Sequence, residues 1–313
     1  MKAFRTNYYI FAMIVIFIAI LFPSIFSISN VAAASSPITQ GDGSAENPYV
    51  IDSSAKLEYM AEQINAGSGN YSTAYYKQTC DISLSGITWT PINSFGGNYD
   101  GQGYLISDLY GTSNDFGFIS TITSTGVFKN VGFTNINLNY GSTAKRNIGI
   151  IALYNNGTIS NCFSQGSIIA KNSSTSDTLY LGGLVCYQQA GTITNCYNAI
   201  NISVSTSGAW VVWKNVGGLI GELTGGTVSN CYNIGRVEIT GGSMYWRAGG
   251  IAGRCEGDGT VNNCASLENS VYINGDVKND LIDCYWTVSV SISGSNNAVV
   301  SASTLKSQTS APL

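Results

Sequence analysis

From residue 116 onward, short alternations of apolar and polar residues recur between glycine turns at a nearly fixed spacing. The blocks begin FGFISTITSTGVFKNVGF (116), IGIIALYNNGTISNCF (148), GGLVCYQQAGTITNCY (182), GGLIGELTGGTVSNCY (217) and GGIAGRCEGDGTVNNCA (249). The leading glycine falls at 117, 149, 182, 217 and 249, so the steps are 32, 33, 35 and 32 residues. A period of this size marks a stacked repeat in which each unit buries its apolar face only against its neighbours. Each unit predicts a strand after the glycine, a Gly-Thr turn, a strand running into Asn-Cys, and a third strand such as Gly235 to Thr240. A linker of varied length closes the unit. Three short strands per unit make one rung of a coil, with successive rungs pairing in parallel about 4.8 Å apart. The expected fold is therefore all-β, a right-handed parallel β-helix, a three-sided solenoid whose hand follows the preference of parallel crossovers. A propeller blade needs four antiparallel strands in about 40 residues, more than these units hold.

Upstream, Leu57, Met60, Ala61 and Ile64 lie at i, i+3, i+4 and i+7. They predict an amphipathic helix over 54–66, capped by Ser53 or Ser54 and ended by Gly67. One helix ahead of a strand stack suits a cap over the first coil's open edge. Short strands are expected at Tyr49 to Ile51, Cys80 to Leu84, Trp89 to Ile92 and Tyr104 to Leu109. Residues 1–34 read as a signal peptide: Lys2 and Arg5, an apolar run from Ile10 to Phe22, then Ala32-Ala33-Ala34. The expected organisation is 35–115 as N-terminal cap and first coils, 116–290 as repeats, and 291–313 as a Ser-rich tail.

The repeat also predicts what stacks. Asn161-Cys162, Asn195-Cys196, Asn230-Cys231 and Asn263-Cys264 occupy one position, and Asn130-Val131 takes it in the first unit. Valine in place of cysteine marks that position as apolar. Cys162, Cys196, Cys231 and Cys264 are expected as a core column, beside a second column of Ile159, Ile193, Val228 and Val261. Asn161, Asn195, Asn230 and Asn263 are expected as an amide ladder at the bend. Adjacent rungs hold equivalent Cβ atoms farther apart than the ~3.8 Å a disulfide prefers, so free buried thiols are expected in the column, while Cys186 and Cys255 lie off it and their state is left open.

These residues resemble the GLUG-motif proteins, whose repeats are of the type GGLVG…GTIxNCY. The resemblance is carried by GGLIGELTGGTVSNCY (217–232) and GGLVCYQQAGTITNCY (182–197). The stretch NPYVI…LEYMAEQIN…CDISLSGITWTPI…YDGQGYLISDLY also resembles what precedes such repeats. The resemblance implies a prokaryotic secreted or cell-surface protein, a right-handed β-helix, and adhesin-like relatives including the N-terminal regions of some zinc immunoglobulin A proteases. It supplies no catalytic residues.

Composition narrows the chemistry. The 313 residues include 36 Gly and no His, and only 10% are charged. Without histidine there is no HExxH site and no Ser-His or Cys-His pair. Two of the 14 basic residues lie in the leader, leaving 12 against 18 acidic ones. A mildly acidic chain without basic clusters is a poor nucleic-acid ligand. No cofactor or metal site is expected, and Asp100-Gly101-Gln102-Gly103 alone is weak evidence for calcium. The acids Asp100, Asp108, Asp115, Asp177, Glu222, Glu238, Glu256 and Asp258 are scattered. A polysaccharide lyase or hydrolase, and a structural spacer, are therefore the alternatives to a non-catalytic binding module. A binding strip is expected before the double glycines, from Tyr180, Trp210, Trp213, Lys214, Tyr245, Trp246 and Arg247. Its partner would be an extracellular glycan or protein. The competing reading folds these aromatics inward to pack the linkers.

Overall fold

The computed structural model describes residues 37–141, 146–172, 178–206, 214–240, 246–266, 271–274 and 290–293. The leader at 1–34, Trp210, Trp213, Tyr245, Asp283-Cys284 and most of the Ser-rich tail lie outside the described residues.

The chain is a parallel β-solenoid whose strands fall into four sheets. A short-strand sheet has eight members, from Tyr49–Ile51 through Thr158–Ser160, Thr192–Thr194 and Thr227–Ser229 to Thr260–Asn262. A long-strand sheet follows a ten-strand path that includes Gly132–Tyr140, Phe163–Asn172 and Tyr197–Thr206. Six strands form the post-glycine sheet, named for the five that follow the repeat glycines, among them Ala152–Asn155, Val185–Gln188, Ile220–Leu223 and Ala252–Cys255. The fourth set is one strand more per rung than the repeat pattern suggests. The segment before each glycine, read as linker, is itself a strand. Asp115–Phe116, Arg146–Gly149, Leu179–Gly182, Lys214–Gly217 and Trp246–Gly249 form a five-stranded pre-glycine sheet.

The pairings between successive rungs are parallel, with a register shift between Phe133 and Ile136 where Gly132–Tyr140 meets Phe163–Asn172; Ile159 pairs Ile193, which pairs Val228, which pairs Val261. The helix α1, Ser54–Asn65, buries Leu57, Met60, Ala61 and Ile64, and the Ser53 side chain accepts from the Lys56 amide. Its last residue closes an edge. The Asn65 side chain donates to the Pro91 carbonyl (3.0 Å) and accepts from the Asn93 amide (2.7 Å). It thereby occupies the free side of Ile92–Phe95, the first strand of the post-glycine sheet. An open edge would otherwise pair with another chain. Trp89, expected in a strand, instead lies in an irregular segment, stacked on Phe118 at 4.8 Å with its indole N–H donating to the Phe118 carbonyl.

The Asn-Cys corner joins the short-strand and long-strand sheets. Cys162, Cys196, Cys231 and Cys264 are all buried, with free thiols. Their sulfurs contact the next rung: the amides of Cys162 and Cys196 lie 3.4 Å from the sulfurs of Cys196 and Cys231. Contact with Cys196 pushes the Cys231 thiol up to about 12, and burial pushes Cys196 well above its ordinary value. Cys186 is buried and its thiol donates to the Tyr180 carbonyl (3.2 Å), whereas Cys255 is disulfide-bonded. Cys255, off the column, sits at the end of a strand and is only half-buried.

Asn130, Asn161, Asn195, Asn230 and Asn263 all have left-handed backbones, φ between 49° and 58°. Asparagine tolerates this conformation better than most residues. Asn161 donates its side-chain amide to Asn130 (2.9 Å), Asn195 to Asn161 (3.3 Å) and Asn263 to Asn230 (3.4 Å). Asn130 in turn donates to Asp100 at 2.8 Å. The run of amides thus starts on a carboxylate, an acceptor with no donor of its own.

The double glycines are required by close approach. A Cβ on Gly182 would overlap the Val185 carbonyl oxygen, and one on Gly217 the Ile220 carbonyl oxygen. A Cβ on Gly183 or Gly218 would strike the side chain of Asn198 or Asn233. Those two belong to an interior ladder. Ser164 Oγ donates to Asn198 Oδ1 (2.8 Å), Asn198 Nδ2 to Asn233 Oδ1 (2.8 Å), and Asn233 Nδ2 to Ser266 Oγ (3.2 Å).

Candidate functional site

The glycine bend leaves only two residues between the pre-glycine and post-glycine strands of each rung, as between Gly149 and Ala152. The outward side chains of the two sheets therefore meet in a corner on the solvent side. Register places Asp115, Asn147, Tyr180, Asn215 and Arg247 in one column. A second column on the post-glycine sheet holds Tyr154, Tyr187, Glu222 and Arg254.

The columns touch repeatedly. The rings of Tyr180 and Tyr187 lie 5.0 Å apart, tilted by 39°. Tyr187 donates its hydroxyl to Asn147 Oδ1 (3.3 Å), and Asn147 Nδ2 donates to Asp115 (2.8 Å). Asn215 Nδ2 donates to Glu222 Oε2 at 3.0 Å. Within the second column, Tyr154 stacks on Tyr187 at 4.9 Å, nearly parallel. Arg254 donates from Nη1 to Glu222 Oε1 at 3.1 Å and pairs through Nη2 with Glu256.

Burial grades across the corner. Asn147 and Asn215 are enclosed, Glu222 is 7% exposed, and Tyr154, Tyr180, Tyr187, Arg247 and Arg254 are half-buried. Loss of water raises the phenol pKa of Tyr187, Tyr154 and Tyr180. Glu222 raises Tyr180 further, while Arg254 and Arg247 oppose it. At neutral pH the three hydroxyls are thus neutral groups that can both donate and accept. Within the corner, Asn215 Oδ1 and Arg254 Nε are buried without a hydrogen-bond partner among the described residues. Glu222, acceptor-only when ionised, draws the Asn215 NH₂ and so turns its carbonyl oxygen the other way.

Of the strip expected from the sequence, Tyr180 and Arg247 share the first column. Lys214 does not join them. It is buried in register with Leu179, one residue before Asn215 and on the inward phase of the strand. Trp246 belongs to the Trp246–Gly249 strand and pairs with Lys214. Glu222 stands among the scattered acids of the sequence, and nothing in the pattern joins it to Asn215 and Arg254. Glu222 has Tyr187 as its rung counterpart, and the contact that matters crosses to a strand read as linker. The carboxylates nearest the corner, Asp115, Glu222 and Glu256, are each held by an amide or a guanidinium. Among the described residues there is no group of three His, Cys, Asp or Glu side chains placed to hold a metal.

Comparison with known proteins bears on the motif and the fold. The GLUG motif matches residues 177–203 and 214–239, each running from the pre-glycine strand into the long-strand sheet. Halomucin of Haloquadratum walsbyi is 29% identical over 183 residues, 52% of this chain and 2% of halomucin. A candidate Gly-rich membrane protein of Evansella cellulosilytica is 28% identical over 109 residues, 33% of this chain and 13% of that protein. The chain thus spans only a small part of either relative. The crystal structure of a candidate immunoglobulin A1 protease from Bacteroides ovatus superposes with a TM-score of 0.54 at 21% identity, covering 85% of this chain and 82% of that one. At that identity the likeness is one of fold. Among the described residues no helix is long and apolar enough to cross a membrane. The chain thus carries two GLUG motifs, which lie on two stacked rungs of the solenoid.

Proposed function

We propose that this chain is a secreted or cell-surface β-helix module that binds an extracellular glycan or protein without turning it over. The corner between the pre-glycine and post-glycine sheets is its binding surface. The observation that carries the reading is the gathering of Tyr154, Tyr180 and Tyr187 with Asn215, Glu222 and Arg254 across two sheets. A structural spacer has no need of half-exposed tyrosines beside a nearly enclosed ion pair on its solvent side. Burying a polar cluster costs free energy unless its partners are complete. The export signal expected at 1–34 and a relative described as a membrane protein support the location.

The test is binding of the full chain to glycan and extracellular-protein arrays, repeated with Tyr180→Ala and Tyr187→Ala. Binding weakened at least tenfold by either change, with the melting curve retained, supports the reading. Binding unaffected by both removes the corner from the function. Release of reducing or unsaturated sugars from a polysaccharide would replace the binding module with an enzyme.

A further inference from the structure

The N-terminal cap holds a cleft of about 310 Å³ between α1 and the irregular segment 87–90. That is the small end of ligand pockets, which run from roughly 300 to 1,000 Å³, so the cleft admits one side chain rather than a larger body. Its walls differ in chemistry. On α1, Glu58 and Glu62 lie four residues apart and so share one face of the helix, with buried Ala61 beside them. Opposite stand half-buried Ile87 and buried Trp89, with Thr88 and Thr90 exposed. Backbone bonds from Ile87 to Leu84 and from Trp89 to Tyr110 hold this wall, and the Trp89 ring is fixed against Phe118. The cleft is open to solvent at Glu62, Thr88 and Thr90. It is an apolar floor with a carboxylate rim.

Charge narrows the occupant. The lining includes no lysine or arginine, and Lys56, one turn away on α1, pairs with Asp52 at 2.8 Å. Burial, and then the charge of Glu62, raise the Glu58 carboxyl above its ordinary value. Its ionised form therefore gains from a cation beside it. The wider surface agrees. Residues 37–110 carry eight acidic side chains against two basic ones, a net charge of −6, whereas residues 111–313 hold ten of each. The field that steers a partner toward the cap is negative. A metal ion fits poorly: hard cations take about six or more oxygens, and the described residues hold no group of three His, Cys, Asp or Glu placed for one. An ammonium on an unbranched hydrocarbon stem fits well, because the stem covers apolar surface while the head stays at the polar rim. An amino sugar lacks such a stem, since its ammonium sits on the ring among hydroxyls.

We propose that the cleft between α1 and segment 87–90 seats a lysine side chain of a basic polypeptide partner, its ammonium between Glu58 and Glu62 and its stem on Ile87 and Trp89. The site shares no residue with the glycine corner, so either can fail without the other.

The experiment titrates the full chain at low ionic strength with a capped glycyl-lysyl-glycine peptide and follows the Trp89 indole N–H resonance by NMR. Comparison peptides carry acetyllysine, or diaminopropionate, which has the same charge on a shorter stem. A glucosamine oligomer is the remaining probe. The lysine peptide is expected to shift the resonance saturably, and the acetyllysine peptide to leave it in place. Diaminopropionate should bind at least threefold more weakly than lysine. Glu58→Gln combined with Glu62→Gln should weaken lysine binding at least fivefold. Glu46→Gln, which removes an exposed acid of the same cap outside the lining, should match the parent. The peptide comparison on the parent decides whether or not the double variant folds. Equal binding of the acetyllysine peptide overturns the site. So does a loss in Glu46→Gln as large as in the double variant, which would reduce the effect to net charge. No shift with any peptide, or preference for the glucosamine oligomer, overturns it too.

Discussion

Asn195 shows how one residue type answers a backbone demand. Its φ of 54° is expensive for most side chains, by roughly 1–2 kcal/mol. Asparagine also adds an amide bond to Asn161. Asn195→Ala is expected to lower unfolding free energy by about 1–2 kcal/mol in urea melts, and Asn195→Gly by less, because glycine relieves the backbone. A larger loss for glycine would place the cost in the side-chain bond instead. Titration gives a second residue-scale outcome. Burial works against the Asp100 carboxylate, but hydrogen bonds from Asn130 and Gln102 and the Lys129 cation outweigh it and lower its pKa below the usual 3.8. Asp108 is lowered too, by Ser83 and Ser107. Groups lowered on folding contribute stability that is complete above their unfolded pKa and fades as pH falls through the folded one. Melting temperature should therefore hold from pH 7 to about 5 and fall below about 4. Asp100→Asn should flatten part of that acid limb.

At the scale of elements, the edge closure by α1 depends on one side chain. Asn65→Ala leaves the Asn93 amide and the Pro91 carbonyl unpaired on the outer strand. It should raise concentration-dependent aggregation, measured by light scattering, more than it lowers the melting temperature. An unchanged aggregation rate would mean that helix packing alone protects the edge. The elements that the sequence disclosed are those whose residues repeat: the glycine pairs, the Ile/Val column and the Asn-Cys corner. The pre-glycine strand hid because only its last two positions keep a pattern. Ile148-Gly149, Leu181-Gly182, Val216-Gly217 and Ala248-Gly249 repeat, but the outward position runs Asn147, Tyr180, Asn215, Arg247. Variation there is what a surface column permits, and it removes the alternation that marks a strand. With that strand unseen, Glu222 looked isolated, since its partner Asn215 lies seven residues back across the bend. Lys214 misled for the same reason: a lysine beside aromatics suggests a surface, yet its phase in the strand points inward.

For the whole molecule, the rungs should behave as a nearly one-dimensional stack, each stabilised by its neighbours. The buried thiols report on that directly. In native protein at pH 8, Cys162, Cys196, Cys231 and Cys264 should resist a thiol reagent for as long as the stack stays closed. All four should react together on unfolding, as one cooperative core would require. Early reaction of Cys264 alone would locate fraying at the last described rungs. The account's central claim is that two adjacent sheets fold their outer faces together around Glu222. A double-mutant cycle between Asn215→Leu and Arg254→Met, read from denaturant unfolding, tests it most directly. A shared carboxylate predicts a coupling of about 0.5–3 kcal/mol. Additivity within a few tenths of a kcal/mol would mean the two columns do not meet, and the corner would not exist as described.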